Sequence, residues 1–127
     1  MLLECKYCVV VSGGRDFSNW EFLSKKLDEI FMSEVFGESS PMIIVGDARG
    51  ADAMAARYAA KRNIPVKVCR ANWKEYPKTA GFILNQEMLA QATHLIAFWN
   101  GKSRGTQHII ALAQRKGIPC RVFHYTN

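Results

Sequence analysis

Apolar residues along the chain fall into short, β-branched runs separated by stretches of helical periodicity. The runs are YCVVV (7–11), MIIV (42–45), VKVC (66–69), HLIAFW (94–99) and CRVFHY (120–125). Helical patterns lie between them at about 18–36, 50–62, 80–92 and 105–116. Runs that are apolar throughout suit strands buried on both faces. Their regular alternation with helices predicts an α/β fold built on an open parallel sheet of about five strands, with helices on both faces.

Local signals place the boundaries. Ser18 followed by Glu21 reads as a capping box, with Phe17 and Phe22 as a hydrophobic staple, so the first helix is expected to start at Ser18. In the second helix Ala51, Met54, Ala55, Tyr58 and Ala59 recur at helical spacing, a stripe of mostly small residues that lets the helix lie close to the sheet. KRNIPVKV (61–68) and RKGIPCRV (115–122) end two helices alike: Asn63 or Gly117 suits a left-handed cap, and the following proline blocks continuation.

With 127 residues, the chain is expected to form one domain, 1–127, without a linker or low-complexity segment. No run approaches the roughly 18 apolar residues of a membrane helix, and Met1–Leu3 bring no basic leader region, so a cytoplasmic protein is expected. Cys5 and Cys8 form a lone C-x-x-C. On one strand, residues three apart face opposite sides, so the two thiols cannot chelate one ion. Cys69 and Cys120 stand alone, and His94, His108 and His124 share no spacing, so no metal site is expected. Seventeen Lys and Arg against eleven Asp and Glu leave a net charge of +6, which favours anionic partners. The basic residues are dispersed, without an aromatic-basic ladder, which ranks a small nucleotide ligand ahead of nucleic acid.

Ligands of open α/β sheets gather outside the carboxyl ends of the strands. The loops there are SGGRDFS (12–18), GDARGAD (46–52), RANWKEYPKTAG (70–81) and WNGKSRGTQ (99–107). Three combine glycine with arginine, and the fourth carries Trp73, Lys74, Tyr76 and Lys78. Glycine lets backbone amides approach an anion, a helix N-terminus adds partial positive charge, and arginine grips phosphate through two hydrogen bonds. Gly13, Gly14 and Arg15 offer this combination, as do Gly46, Arg49 and Gly50. Gly101, Ser103, Arg104, Gly105 and Thr106 repeat it at the last helix. Each glycine can equally serve only a tight turn, and Asp16 and Thr106 can equally cap a helix. Trp73 and Tyr76 either stack a base or cover the sheet edge, and Asn85 and Glu87 either join the site or face solvent. Asp52, in the first helical turn, repels phosphate. It is therefore either a cap that satisfies the helix dipole or an acceptor for a ribose beside that phosphate.

Taken in order, GGRDF, GDARGADAMAARYA, ANWKEY…AGFILNQEML and LIAFWNGKSRGT…A…KGIP resemble the YspA-like branch of the SLOG superfamily, which also contains the Lonely Guy phosphoribohydrolases. The resemblance spans nearly the whole chain. It implies a single Rossmann-like domain with a pocket for a nucleotide-derived ligand. Matched residues are Gly13, Gly14 and Arg15, then Gly46, Arg49, Gly50 and Asp52, then Asn85 and Glu87, and finally Gly101, Gly105 and Thr106. The Lonely Guy enzymes carry P-G-G-x-G-T-x-x-E with a catalytic glutamate, whereas Ile109 stands three after Thr106 here. Asp16, Asp47, Asp52 or Glu87 would have to replace it. The expected function is therefore binding, by sensing or sequestration, of an ADP-ribose-like or cyclic nucleotide signal, with no certain cofactor. The alternatives are a nucleoside-phosphate N-glycosidic hydrolase and, after it, a nucleic-acid-binding module. Relatives in the superfamily are commonly homo-oligomers, and the Ala-rich second helix or EIFMSEVF (29–36) could supply an interface.

Overall fold

The computed structural model describes residues 7–33 and 40–126. Its elements alternate as the hydrophobic pattern predicts: β1 (Cys8–Gly13), α1 (Trp20–Phe31), β2 (Met42–Val45), α2 (Ala51–Lys61), β3 (Val66–Val68), α3 (Ala80–Ala90), β4 (His94–Trp99), α4 (Arg104–Lys116) and β5 (Cys120–His124). All strand pairings are parallel, in the order β3-β2-β1-β4-β5.

Alternate residues of each buried strand supply two cores. Val9, Val11, Ile43, Val45, Ile96 and Phe98 meet α1 and α2, while Val10, Ile44, Leu95 and Ala97 meet α3 and α4. The small stripe of α2 belongs to the first core: Ala51, Ala55, Tyr58 and Ala59 are fully buried, so it seats the helix on its own sheet. Tyr58 also donates its hydroxyl to Asp28 of α1 at 2.7 Å, and Arg62 grips the same carboxylate at 2.9 and 3.0 Å.

The first helix differs from its expected start. Asn19, one residue past Ser18, is the cap, and its side chain accepts from the Phe22 amide at 3.0 Å. Phe17 and Phe22 still meet, with ring centroids 6.5 Å apart. The two helix exits follow one scheme. Asn63 (φ 56°) and Gly117 (φ 72°) are left-handed, and the next amides reach back five residues, Ile64 to Ala59 and Ile118 to Ala113, both at 2.9 Å. Cys5 and residues 34–36 of the apolar segment lie outside the described residues. Cys8, Cys69 and Cys120 are free thiols. Among the described residues no helix is long and apolar enough to cross a membrane, and no cluster of three His, Cys, Asp or Glu side chains could hold a metal ion.

Candidate ligand-binding cleft

The strand order reverses between β1 and β4, so the β1–α1 and β4–α4 connections diverge at the carboxyl edge and open a crevice. A cleft of about 890 Å³ lies there, walled by the β1–α1, β2–α2, β3–α3 and β4–α4 connections and by one side of α3.

The polar β2–α2 corner is closed from within. Gly50 has φ +80°, and a Cβ there would strike the Gly14 carbonyl, so the two loops cross in backbone contact. The crossing consumes the first amide of α2: Ala51 N–H donates to Gly14 O at 3.1 Å. Asp52 then folds back to accept from the Ala48 amide at 3.3 Å, filling the space that a Cβ on Gly46 would need. Burial, with Asp47 nearby, pushes the Asp52 carboxyl up to about 7, partly offset by the Ala48 hydrogen bond and then by Arg15. Gly50 is thus required by packing, and the first amide of α2 is already taken by a carbonyl.

The β1–α1 loop is likewise pinned. Gly14 N–H donates to Phe98 O at 3.2 Å, which removes that amide from the proposed phosphate cradle. Asp16 does not cap α1. It accepts from the Tyr125 hydroxyl at 2.6 Å, a tie from the far end of the chain. Burial and that carboxylate push the Tyr125 phenol up. Arg15 stays exposed, its guanidinium 5.8 Å from the Trp73 ring centroid.

The β4–α4 corner is arranged differently. Asn100 Oδ1 accepts from the amides of both Lys102 and Ser103 at 2.8 Å, which turns the chain into α4. Ser103, rather than Thr106, is the cap, with its hydroxyl 3.4 Å from the Thr106 amide. Thr106 is 2% exposed and its hydroxyl lies 3.1 Å from that of Ser103. The amides of Arg104 and Gly105 have no partner among the described residues, and a Cβ on Gly105 would meet open space. Asn85, 8% exposed on α3, donates from Nδ2 to Gly105 O and lies 3.1 Å from His108 Nδ1. Burial and Arg115 hold His108 below its ordinary value, so Nδ1 is free to accept.

Trp73 lies beside Gly81 at the start of α3, with 44% of its surface exposed. Tyr76 and Glu87 are displaced from the cleft and line a smaller recess of about 120 Å³ on the other side of Ala71 and Leu84. The cleft therefore gathers Gly13, Gly14, Arg15 and Asp16 from the first loop, Arg49 and Asp52 from the second, and Trp73 from the third. Asn85, Ser103, Gly105 and Thr106 complete that set. Gly46, Gly50, Gly101 and Arg104 shape or flank it without lining it. Lining residues outside the expected set include Ser12, Lys78, Phe82, Met88 and Asn100. For Asn100 a signal was present, because an Asn-Gly pair before a serine and a helix marks an Asx turn. Phe82 and Met88 follow only from how α3 leans over the sheet.

A five-stranded parallel sheet with a polar cleft at its switch point defines a Rossmann-like α/β protein. Residues 7–76 match YAcAr, the YspA, cpYpsA-related SLOG family. The "Gene 61 protein" of Mycobacterium phage D29 is 34% identical over 121 residues, covering 87% of this chain and 91% of that protein. No solved structure matches the chain. The chain belongs to the YspA, cpYpsA-related SLOG family.

Proposed function

We propose that this protein binds a phosphate-containing nucleotide derivative in the cytosol and acts by sensing or sequestering it. One contrast carries the reading. The leading amide of α2 is bonded to Gly14 O and an acid, Asp52, stands in its first turn, whereas the leading amide of the 13-residue α4 has no partner among the described residues, its first turn carries no acid, and Gly105 there lines a cleft that also presents Arg15, Arg49 and Lys78. Phosphate then belongs at α4. Asp52, on the opposite wall, would accept ribose hydroxyls, and Trp73 would stack the base, with Arg15 beside it.

Mass spectrometry of the small molecule that copurifies, followed by titration with nucleoside monophosphates and an ADP-ribose-type ligand, tests this. Recovery of intact ligand is expected, with Arg49→Ala weakening binding about tenfold or more. Unchanged affinity in that variant, at retained fold, removes Arg49 from the site. The second reading, a nucleoside-phosphate hydrolase, draws on Asp52. A cleft carboxyl near 7 can donate and accept a proton at neutral pH, as N-glycosidic cleavage requires. Release of free base on incubation with nucleoside monophosphates would establish it and end the reading as a binding protein alone.

A further inference from the structure

We propose that Tyr125 is a positioning residue for anion binding: its hydroxyl holds the Asp16 carboxylate away from Arg15, so that the Arg15 charge stays available to a ligand in the cleft. The inference rests on the reading above that the cleft takes a phosphate-bearing ligand, and it concerns the β1–α1 wall.

Arg15 and Asp16 are neighbours in the β1–α1 loop, and both line the cleft. A carboxylate next to a guanidinium is its nearest counter-ion, and pairing would cancel the charge that a phosphate needs. The structure shows no such pair. Arg15 makes no hydrogen bond or ion pair among the described residues, and its guanidinium lies 5.8 Å from the Trp73 ring centroid. Asp16 instead accepts from the Tyr125 hydroxyl at 2.6 Å. Asp52, a second carboxylate that feels the Arg15 charge, is likewise engaged elsewhere, by the Ala48 amide at 3.3 Å.

Tyr125 is itself fixed by the sheet. Its amide donates to Trp99 O at 3.1 Å, and its ring packs edge-on against Phe17 with centroids 4.7 Å apart. Its hydroxyl sits over Gly14, where a Cβ would collide with it, so the glycine makes the room. Gly14 in turn donates to Phe98 O at 3.2 Å. The hydroxyl is thus placed by the ends of β4 and β5, independently of the loop whose carboxylate it holds.

The test is a double-mutant cycle of wild type, Tyr125→Phe, Asp16→Asn and the double variant. Each is titrated calorimetrically with ADP-ribose at about pH 7.5 and on the order of 50 mM salt, where an exposed ion pair is little screened. Tyr125→Phe keeps the ring and releases Asp16, and should weaken ADP-ribose about 2- to 5-fold, the worth of an exposed ion pair. Asp16→Asn should then strengthen binding more in the Tyr125→Phe background than in the wild type, by that same factor. Equal gains in the two backgrounds, as a purely structural clamp would give, or no loss in Tyr125→Phe, overturn the proposal and leave the ligand reading standing. Should the wild type bind no ADP-ribose, the ligand reading fails, and the Trp73 indole N–H resonance decides the pairing in the free protein. It should shift in Tyr125→Phe as Arg15 turns from Trp73 to Asp16, and return in the double variant. No shift, or a shift that persists in the double variant, overturns the proposal.

Discussion

The side-chain amide of Asn85 in α3 donates to the carbonyl of Gly105 in α4 across 3.1 Å. One polar bond thereby joins the two helices that cover the same face of the sheet, at the rim of the cleft and one turn from the free amides of α4. The same NH2 group reaches His108, whose ring also packs on Phe82 with centroids 4.5 Å apart. The clamp needs His108 neutral, because a proton on Nδ1 would oppose the Asn85 NH2.

That requirement sets a pH dependence. The folded pKa of His108 is depressed, so the unfolded chain takes up protons first as pH falls below about 6.5. Stability contributed here is full above that value and lost below it. Thermal melts at about pH 7.5 and 5.5 should show a smaller acid loss for His108→Gln than for the wild type. His94, also held low by burial, will retain part of the loss in both. Identical losses would remove His108 from the effect.

Asp52 has the opposite sign. Its folded value of about 7 lies above the ordinary 3.8, so between those values the native state binds more protons, and stability falls as pH rises through the window. Asp52→Asn keeps an acceptor for the Ala48 amide and removes the buried charge. Denaturant unfolding at about pH 8 should show a gain of about 1–3 kcal/mol, with little difference at about pH 4. A loss at pH 8 would mean that the carboxylate is held by contacts stronger than the single Ala48 bond.

The two corner glycines should respond in contrary ways. Gly50→Ala puts a Cβ against the Gly14 carbonyl at φ +80° and should destabilise by about 2–4 kcal/mol. Gly105→Ala points into open space in the first turn of α4 and should be neutral or stabilising by up to about 1 kcal/mol. Urea midpoints measured side by side check both, and phosphate titration of Gly105→Ala reports whether a methyl over the free amides weakens an anion.

Tyr58 probes the clamp between α1 and α2. Its ring is wholly buried in the core and its hydroxyl meets Asp28, so Tyr58→Phe should keep the packing and lose one hydrogen bond, about 1 kcal/mol. Chemical denaturation resolves this. A cost well above 2 kcal/mol would show that the hydroxyl also orients the Asp28–Arg62 pair.

Much of the architecture was legible because it depends on local rules. MIIV and HLIAFW are strands with the bounds read from the sequence, and Asn63 and Gly117 are left-handed where their helices stop. Parallel order, and two-sided burial of β1, β2 and β4, followed from apolar runs alternating with amphipathic ones, whereas VKVC forms the edge strand β3 and is exposed along its length, and β5 at the other edge is at most half-buried. The matched loops also lie on one edge, since every strand-to-helix connection in such a sheet emerges at the carboxyl ends.

What each corner does was decided only in three dimensions. GDARGAD and NGKSRGT look equivalent as glycine–arginine turns, yet the first has the leading amide of its helix filled by Gly14 O from a loop more than thirty residues away, and the second keeps its leading amide open. Asp16 reads as a local cap and is instead bonded to Tyr125, 109 residues along the chain. Asp52 neither caps α2 through a helical amide nor faces solvent freely. It closes its own corner on Ala48, and its raised pKa exists only because the fold buries it. Periodicity and capping act within a few residues and can be read from order alone. The occupancy of a backbone amide and the charge state of a carboxyl depend on which distant atoms the sheet brings into contact.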